Sequence, residues 1–252
     1  MAHGYRMLQH WNQWLHQEFL GSAIMETEKK FLARLLAKHF GKHALLVGVP
    51  QQFSLLDATK IPCHTLVSPF LAHERQPGFV EGDLHEIPIL TGSIDLVVLP
   101  HTLEYVDNPR QLIHEACRIV KPEGLIVAFG FNPYSMWGLR RLFSHHAVPW
   151  SASFNDAYQV KNWLRLAEFH IEDQSALMFR PPVANQAVFR KLEFLDYIGS
   201  FLHFFGGIYC ITARAKVIPL TPIRMKWKQQ LGNMRISTSI SGNIARQSES
   251  LK

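Results

Sequence analysis

His101 stands directly behind a short apolar run, Ile94-Asp95-Leu96-Val97-Val98-Leu99, and its closing residue Pro100. An imidazole titrates near neutral pH, so at the mouth of a ligand site it would serve as a general base. The same ring would equally suit a packing role, hydrogen-bonded to its own loop. A second cluster, Asn132-Pro133-Tyr134-Ser135-Met136-Trp137-Gly138, follows another apolar run and mixes aromatic rings with an amide, which suits a pocket for an acceptor molecule. Its alternative is a turn feeding an amphipathic helix, Leu139 to Phe143, with Trp137 as core filler. Arg140 and Arg141 beside Leu139, Leu142, Phe143, His145 and His146 suit either a membrane surface or a solvated helix face. The fourteen histidines include no HExxH pattern and no pair beside a carboxylate cluster, so no metal is assigned. Cys63, Cys117 and Cys210 lie far apart without CxxC spacing and read as reduced core thiols of a cytoplasmic protein.

Holding these residues together requires a buried sheet. Ile94 to Leu99 has the character of a strand covered on both faces. Asp107-Asn108-Pro109 then offers cap residues and a proline suited to a helix's first turn. Leu112, Ile113, Ala116, Ile119 and Val120 fall on one face of that helix, Lys121-Pro122-Glu123-Gly124 stops it, and Leu125 to Phe129 is the next buried strand. Strand, helix and strand at this spacing make a right-handed parallel crossover, the unit of a doubly wound sheet. The remaining strands are expected at 44–48, 63–67, 78–81, 169–172 with 176–179, and 207–213, with helices at 156–166 and about 188–204. Two helices precede the sheet. One covers 5–22 and ends near Gly21-Ser22; the other runs from Glu26 to Phe40, with Leu32, Leu35, Leu36 and either His39 or Phe40 on its apolar side.

The run Glu81-Gly82-Asp83-Leu84-His85-Glu86-Ile87-Pro88, the strand Ile94 to Leu99, then His101-Thr102-Leu103-Glu104-Tyr105 and Asp107-Asn108-Pro109 resemble class I S-adenosylmethionine-dependent methyltransferases of the type 11 branch. So does Glu115-Ala116-Cys117-Arg118-Ile119-Val120-Lys121-Pro122-Glu123-Gly124-Leu125. The segment from Gly130 to Arg140 is similar to a narrower bacterial group within that branch. The resemblance implies an α/β, Rossmann-like fold with a doubly wound, seven-stranded, mostly parallel sheet whose last strand is antiparallel. It also implies S-adenosyl-L-methionine as cofactor, held by the loops after the first four strands. Asp83 would meet the adenine amino group with Leu84 beside the ring, or else would only cap its own turn. Pro100 and His101 would border the sulfonium and the acceptor, and Asn132, Tyr134 and Trp137 the acceptor pocket.

Two loops depart from that pattern. The first strand leads into Gly48-Val49-Pro50-Gln51-Gln52, with one glycine where the family is glycine-rich and no acidic residue before it. After the second strand, where the family carries a ribose-binding carboxylate, the chain offers Ser68, worth about 1 kcal/mol as a neutral contact. A Rossmann dehydrogenase is disfavoured on the same ground, since Gly48 has no partner glycines and no ribose-binding acid follows. Two readings remain: a methyltransferase acting on a small-molecule or lipid-like acceptor, and a degenerate methyltransferase fold serving as a binding or regulatory module.

Composition bounds these readings. A chain of 252 residues with 47% hydrophobic content buries a full core and reads as N-terminal helices at 1–40 capping the fold, a methyltransferase domain at 41–215 and a basic tail at 216–252. Seven basic residues against Glu249 in that tail account for the whole net charge of +6, so the body is neutral and offers no dedicated nucleic-acid surface. The Ser-, Asn- and Gln-rich tail is expected to be disordered, a solubilising segment or a loose contact for RNA or anionic lipid. The first twenty residues do not read as a signal peptide, and the longest apolar run, Ile198 to Ile211, is shorter than a spanning helix requires. The expectation is a cytoplasmic protein.

Overall fold

Leu45, Leu46, Val97, Val98, Ile126 and Val127 are fully buried, a state that an extended segment reaches only in the middle of a sheet covered on both faces. The computed structural model describes residues 2–70, 76–141, 143–144, 148–183, 185–199 and 205–216. The chain divides into one unit at residues 1–217 and another at 218–252. All but the first residue of the expected basic tail lies outside the described residues, as do Leu142, His145 and His146.

Seven strands form one sheet: β1 (His43–Val47), β2 (Cys63–Ser68), β3 (Phe79–Glu81), β4 (Ile94–Pro100), β5 (Val120–Phe131), β6 (Phe169–Leu177) and β7 (Ile208–Ala215), in the order β3-β2-β1-β4-β5-β7-β6. β1 to β5 pair in parallel, and β7 runs antiparallel to both β5 and β6. The expected Rossmann-like sheet with its antiparallel last strand is therefore the one observed. Strand order reverses between β1 and β4, the kind of switch point at whose carboxyl ends ligands bind in open parallel sheets.

The crossover from β4 to β5 runs through α3 (Pro109–Ile119). Asn108 caps it, its side chain accepting a hydrogen bond from the Gln111 backbone at 3.1 Å, and Pro109 sits in the first turn. Leu112, Ile113, Ala116 and Ile119 face the core. The chain then enters β5 already at Val120, earlier than Leu125. Ile94 pairs with Val120 and Leu96 with Leu125, so Lys121 to Gly124 bulge out opposite Asp95. Lys121 Nζ lies 2.9 Å from the Asp95 carboxylate, and the Asp95 carboxylate also accepts the Lys42 and His43 backbone N–H groups.

The N-terminal helices break at a different place from the expected one. α1 covers Ala2–Gln17 and α2 covers Phe19–Leu35, with the break at Glu18. Gly21 lies inside α2, where a Cβ would meet the Leu15 Cα at 2.7 Å. The glycine permits a close crossing of the two helices and does not stop either. α2 also ends before Phe40, which is 73% exposed. Pro50–Ala58 forms a 3₁₀ helix. Past β5 come α4 (Met136–Arg141) and α5 (Ala157–Leu166), the latter capped by Asp156. β6 is one strand with an irregularity between Ile171 and Asp173 instead of two pieces. The single helix expected at 188–204 is divided into α6 (Gln186–Lys191) and α7 (Phe194–Gly199), and residues 200–204 lie outside the described residues.

Candidate functional site

Strand register brings Gly48, Ser68, Gly82-Asp83 and Pro100-His101 to the carboxyl ends of four neighbouring strands. Val47 pairs with Val67, Ser68 with Glu81, and Leu46 with Val98. At β1 the turn is tied down by side chains. Gln52, buried, accepts from Val49 N at 3.3 Å through Oε1 and donates through Nε2 to the Pro100 carbonyl at 2.9 Å. Thr102 Oγ1 donates to the Val47 carbonyl at 2.5 Å. A Cβ on Gly48 would meet Gln52 Oε1 at 2.8 Å and Thr102 Oγ1 at 3.2 Å, so the bare backbone here faces the protein's own amide.

The next two tips are less occupied. Ser68 is fully buried, and its hydroxyl has no hydrogen-bond partner among the described residues. Its carbonyl accepts from Gly82 N at 3.0 Å, which fixes the start of the Asp83 turn. Asp83 Oδ1 accepts from Tyr5 Oη at 2.6 Å, from His85 N at 2.8 Å and contacts His85 Nδ1 at 3.1 Å. No hydrogen bond reaches Asp83 Oδ2 among the described residues, and the side chain is 37% exposed. The Tyr5 hydroxyl, then the His85 backbone, hold the Asp83 carboxyl below its usual range. Tyr5 itself is pushed up to about 12, first by burial and then by Asp83. Leu84 is buried beside it.

His101 sits within a buried ionic cluster. Its Nε2 lies 2.7 Å from Glu28 Oε1 of α2 and its Nδ1 lies 3.1 Å from Glu104 Oε2, with all three side chains shut off from solvent. Burial alone would lower the imidazole pKa; Glu28 and Glu104 outweigh it and push it up to about 9. His101 also adopts a left-handed backbone, φ 57°, costly for a residue with a Cβ and sustained only where the surroundings over-determine it. The Phe131 backbone N–H donates to Glu104 Oε1, and the rings of Phe131 and Trp11 lie 4.1 and 5.5 Å from the imidazole.

Asn132 and Tyr134 come together at the other half of the sheet. They line a cavity of about 230 Å³ with Asp156, Lys161, Gln174 and Tyr209. Trp137 is not in it: the indole is buried, stacked 5.6 Å from Phe131, and its N–H donates to the Arg180 carbonyl at 2.9 Å. It takes the core-filling alternative. Among the described residues no three His, Cys, Asp or Glu side chains gather as a metal site, and no helix is long and apolar enough to cross a membrane.

A doubly wound sheet of this order, with an antiparallel seventh strand, is the fold of class I S-adenosylmethionine-dependent methyltransferases. Residues 32–128 match the family model described as a methyltransferase domain, of the type 11 branch. The chain is 27% identical over 204 residues to the uncharacterized protein YafS of Escherichia coli (strain K12), covering 79% of this chain and 78% of that one. It is 29% identical over 103 residues to a ubiquinone biosynthesis O-methyltransferase of Xanthomonas oryzae pv. oryzae, covering 36% and 41% respectively. A Thermotoga maritima structure described as an S-adenosylmethionine-dependent methyltransferase, possible histamine N-methyltransferase, superposes with TM-score 0.59 at 16% identity, over 83% of this chain and 100% of that one; the likeness is one of fold. The domain match and the fold imply S-adenosylmethionine as the cofactor.

The tips fit that cofactor at its nucleoside end, where a partnerless buried hydroxyl and an unengaged carboxylate oxygen stand on adjacent strands. At the β1 turn the space is taken by Gln52. Several residues of this site were not singled out from the sequence: Tyr5, Trp11, Glu28, Gln52 and Glu104. Glu28 had a readable signal. It interrupts the stripe Leu20, Ile24, Leu32 at four-residue spacing, and a carboxylate in an apolar stripe needs a buried partner.

Proposed function

We propose that the chain is an S-adenosylmethionine-dependent methyltransferase acting on a small-molecule or lipid-like acceptor. The observation that carries this reading is the pair Ser68 and Asp83: a buried hydroxyl and an open carboxylate oxygen on adjacent strand ends of a methyltransferase fold. Asp83 Oδ2 would accept from the adenine amino group, Ser68 Oγ would meet the ribose, and Leu84 would flank the ring. When bound, the cofactor supplies an activated methyl on a sulfonium, so the protein's work is positioning and exclusion of water. His101, shut off from solvent between Glu28 and Glu104, holds the β4 end in shape, and the carboxylates that raise its pKa leave it unsuited to take a proton from the acceptor. The relatives named as O-methyltransferases of malonyl-[acyl-carrier protein] and of ubiquinone biosynthesis support an oxygen acceptor.

The side-chain-filled turn at Gly48 favours a second reading, a methyltransferase fold kept as a binding or regulatory module. Calorimetric titration separates the two. Heat on adding S-adenosylmethionine or S-adenosylhomocysteine, weakened about tenfold by Asp83→Ala, is expected; no heat up to millimolar ligand would select the module reading.

A further inference from the structure

Gln52 is a polar side chain only 1% exposed, set where the ends of β1 and β4 meet. Its Oε1 accepts from Val49 N at 3.3 Å and its Nε2 donates to the Pro100 carbonyl at 2.9 Å. The two partners fix the amide's orientation, since an N–H calls for the oxygen and a carbonyl for the nitrogen. One of these contacts is a helix cap: Val49 precedes the 3₁₀ helix that begins at Pro50, and Gln52 closes back on it. The other is not a cap, because Pro100 belongs to β4 and lies 48 residues away. A Cβ on Gly48 would fall 2.8 Å from Gln52 Oε1, so the amide also fills the space that the glycine leaves bare.

This plug lies in line with the nucleoside end of the site. β3, β2, β1 and β4 are successive neighbours, each strand about 4.8 Å from the next. A nucleoside held by Asp83 after β3 and by Ser68 at the end of β2 would cover the first two tips. Whatever extends from its ribose away from β3 reaches β1 and β4 next, where Gln52 stands. An α-amino acid needs an N–H donor there for its carboxylate and a carbonyl for its ammonium. Val49 N–H and the Pro100 carbonyl are such a pair, and Gln52 satisfies both with an acceptor and a donor of its own.

We infer that Gln52 is a built-in substitute for the amino-acid arm of the cofactor, so that the site selects the adenosine half and gains little from the arm. This rests on the proposed function for the nucleoside half of the ligand, and it deepens that reading by naming the residue that sets which half carries the affinity.

The test is calorimetry on the full chain with methylthioadenosine and S-adenosylhomocysteine, which share the adenosine and the sulfur and differ in the amino-acid arm. The wild-type protein should bind the two within about threefold of each other. Gln52→Ala vacates the seat and frees both backbone groups, so S-adenosylhomocysteine should gain about tenfold or more over methylthioadenosine. Gln52→Met keeps the bulk and loses the hydrogen bonds, and its ratio should stay that of the wild type. A glutamine that only caps its helix would lower the urea unfolding midpoint in both variants and leave the ratio unmoved, which overturns the inference. Because the readout is a ratio, any loss of folded protein cancels between the two ligands. S-adenosylhomocysteine binding about tenfold or more tighter than methylthioadenosine to the wild type also overturns the inference, while leaving the proposed function standing. Heat from neither ligand overturns the proposed function, and this inference with it. Asp83→Ala should weaken both ligands about tenfold and leave their ratio unchanged, so the two halves of the site are read separately.

Discussion

The His101 ring lies 2.7 and 3.1 Å from the Glu28 and Glu104 carboxylates with no solvent in reach, an arrangement that favours the imidazolium. Its folded pKa of about 9 exceeds the ordinary 6.5, so the proton is bound more tightly in the native state than in the unfolded one. The linkage has one sign: the stabilisation is whole below about pH 6.5 and is lost as pH rises through 9. Urea unfolding followed from pH 6 to 10 should therefore show a fall on the order of 3 kcal/mol in that window. His101→Gln should be less stable at pH 6 and nearly flat over the same range. Glu28→Gln should move the fall to lower pH, since one carboxylate holding the proton is gone. A wild type whose stability is unchanged between pH 6 and 10 would refute the imidazolium. The residue at the heart of this cluster was visible in the sequence from its place after β4, but its chemistry was not. Glu28 lies far away in sequence, and its carboxylate acts with that of Glu104 to favour the cation over the free base.

At the scale of elements, β4, α3 and β5 were legible because each signal is local: an apolar run, a cap with proline, a one-sided helix and a second run. The helices α1 and α2 were legible as helices but not in their boundaries. Gly21 carries the mark of a stop, whereas the crossing against Leu15 that needs it is a tertiary fact. The sequence reads them as capping the fold, but not the contacts through which they would do so. Tyr5 reaches Asp83 at 2.6 Å, Asn12 accepts from Gln51 N at 3.0 Å, and Trp11 stacks on Trp14 and Tyr105 with centroids at 5.3 and 5.2 Å. α1 thus closes over the tips of β1, β3 and β4. Trp11 is fully buried, so Trp11→Ala should cost about 3–5 kcal/mol in urea unfolding. Tyr5→Phe removes one of the hydrogen bonds that orient Asp83 and should weaken S-adenosylhomocysteine binding severalfold with little change in stability. A Tyr5→Phe protein binding the ligand more tightly would show that Tyr5 competes for the carboxylate instead of presenting it.

At the scale of the whole chain, charge and fold are separated. The sheet and its helices are electrically balanced, while the seven cations and single anion beyond residue 215 carry the net +6. On the proposed function the cofactor is held by strand tips within residues 1–217, so deleting residues 219–252 should leave both the unfolding midpoint and S-adenosylhomocysteine affinity unchanged. Any contact with nucleic acid or an anionic membrane is instead proposed to lie in the deleted part, through release of counterions from the partner. Binding of single-stranded RNA by the full chain should then fall steeply with salt, with a log–log slope of roughly −4 at most for the six cations of residues 219–252, and vanish in the truncated protein. The same comparison with vesicles containing anionic lipid separates two routes to a membrane. Binding lost with the tail is electrostatic and salt-sensitive, whereas binding that survives truncation and high salt but fails in Met136→Asp with Leu139→Asp arises from the apolar surface of α4. If the truncated chain loses cofactor affinity while keeping its fold, the tail belongs to the site and the separation of charge from catalytic fold is wrong.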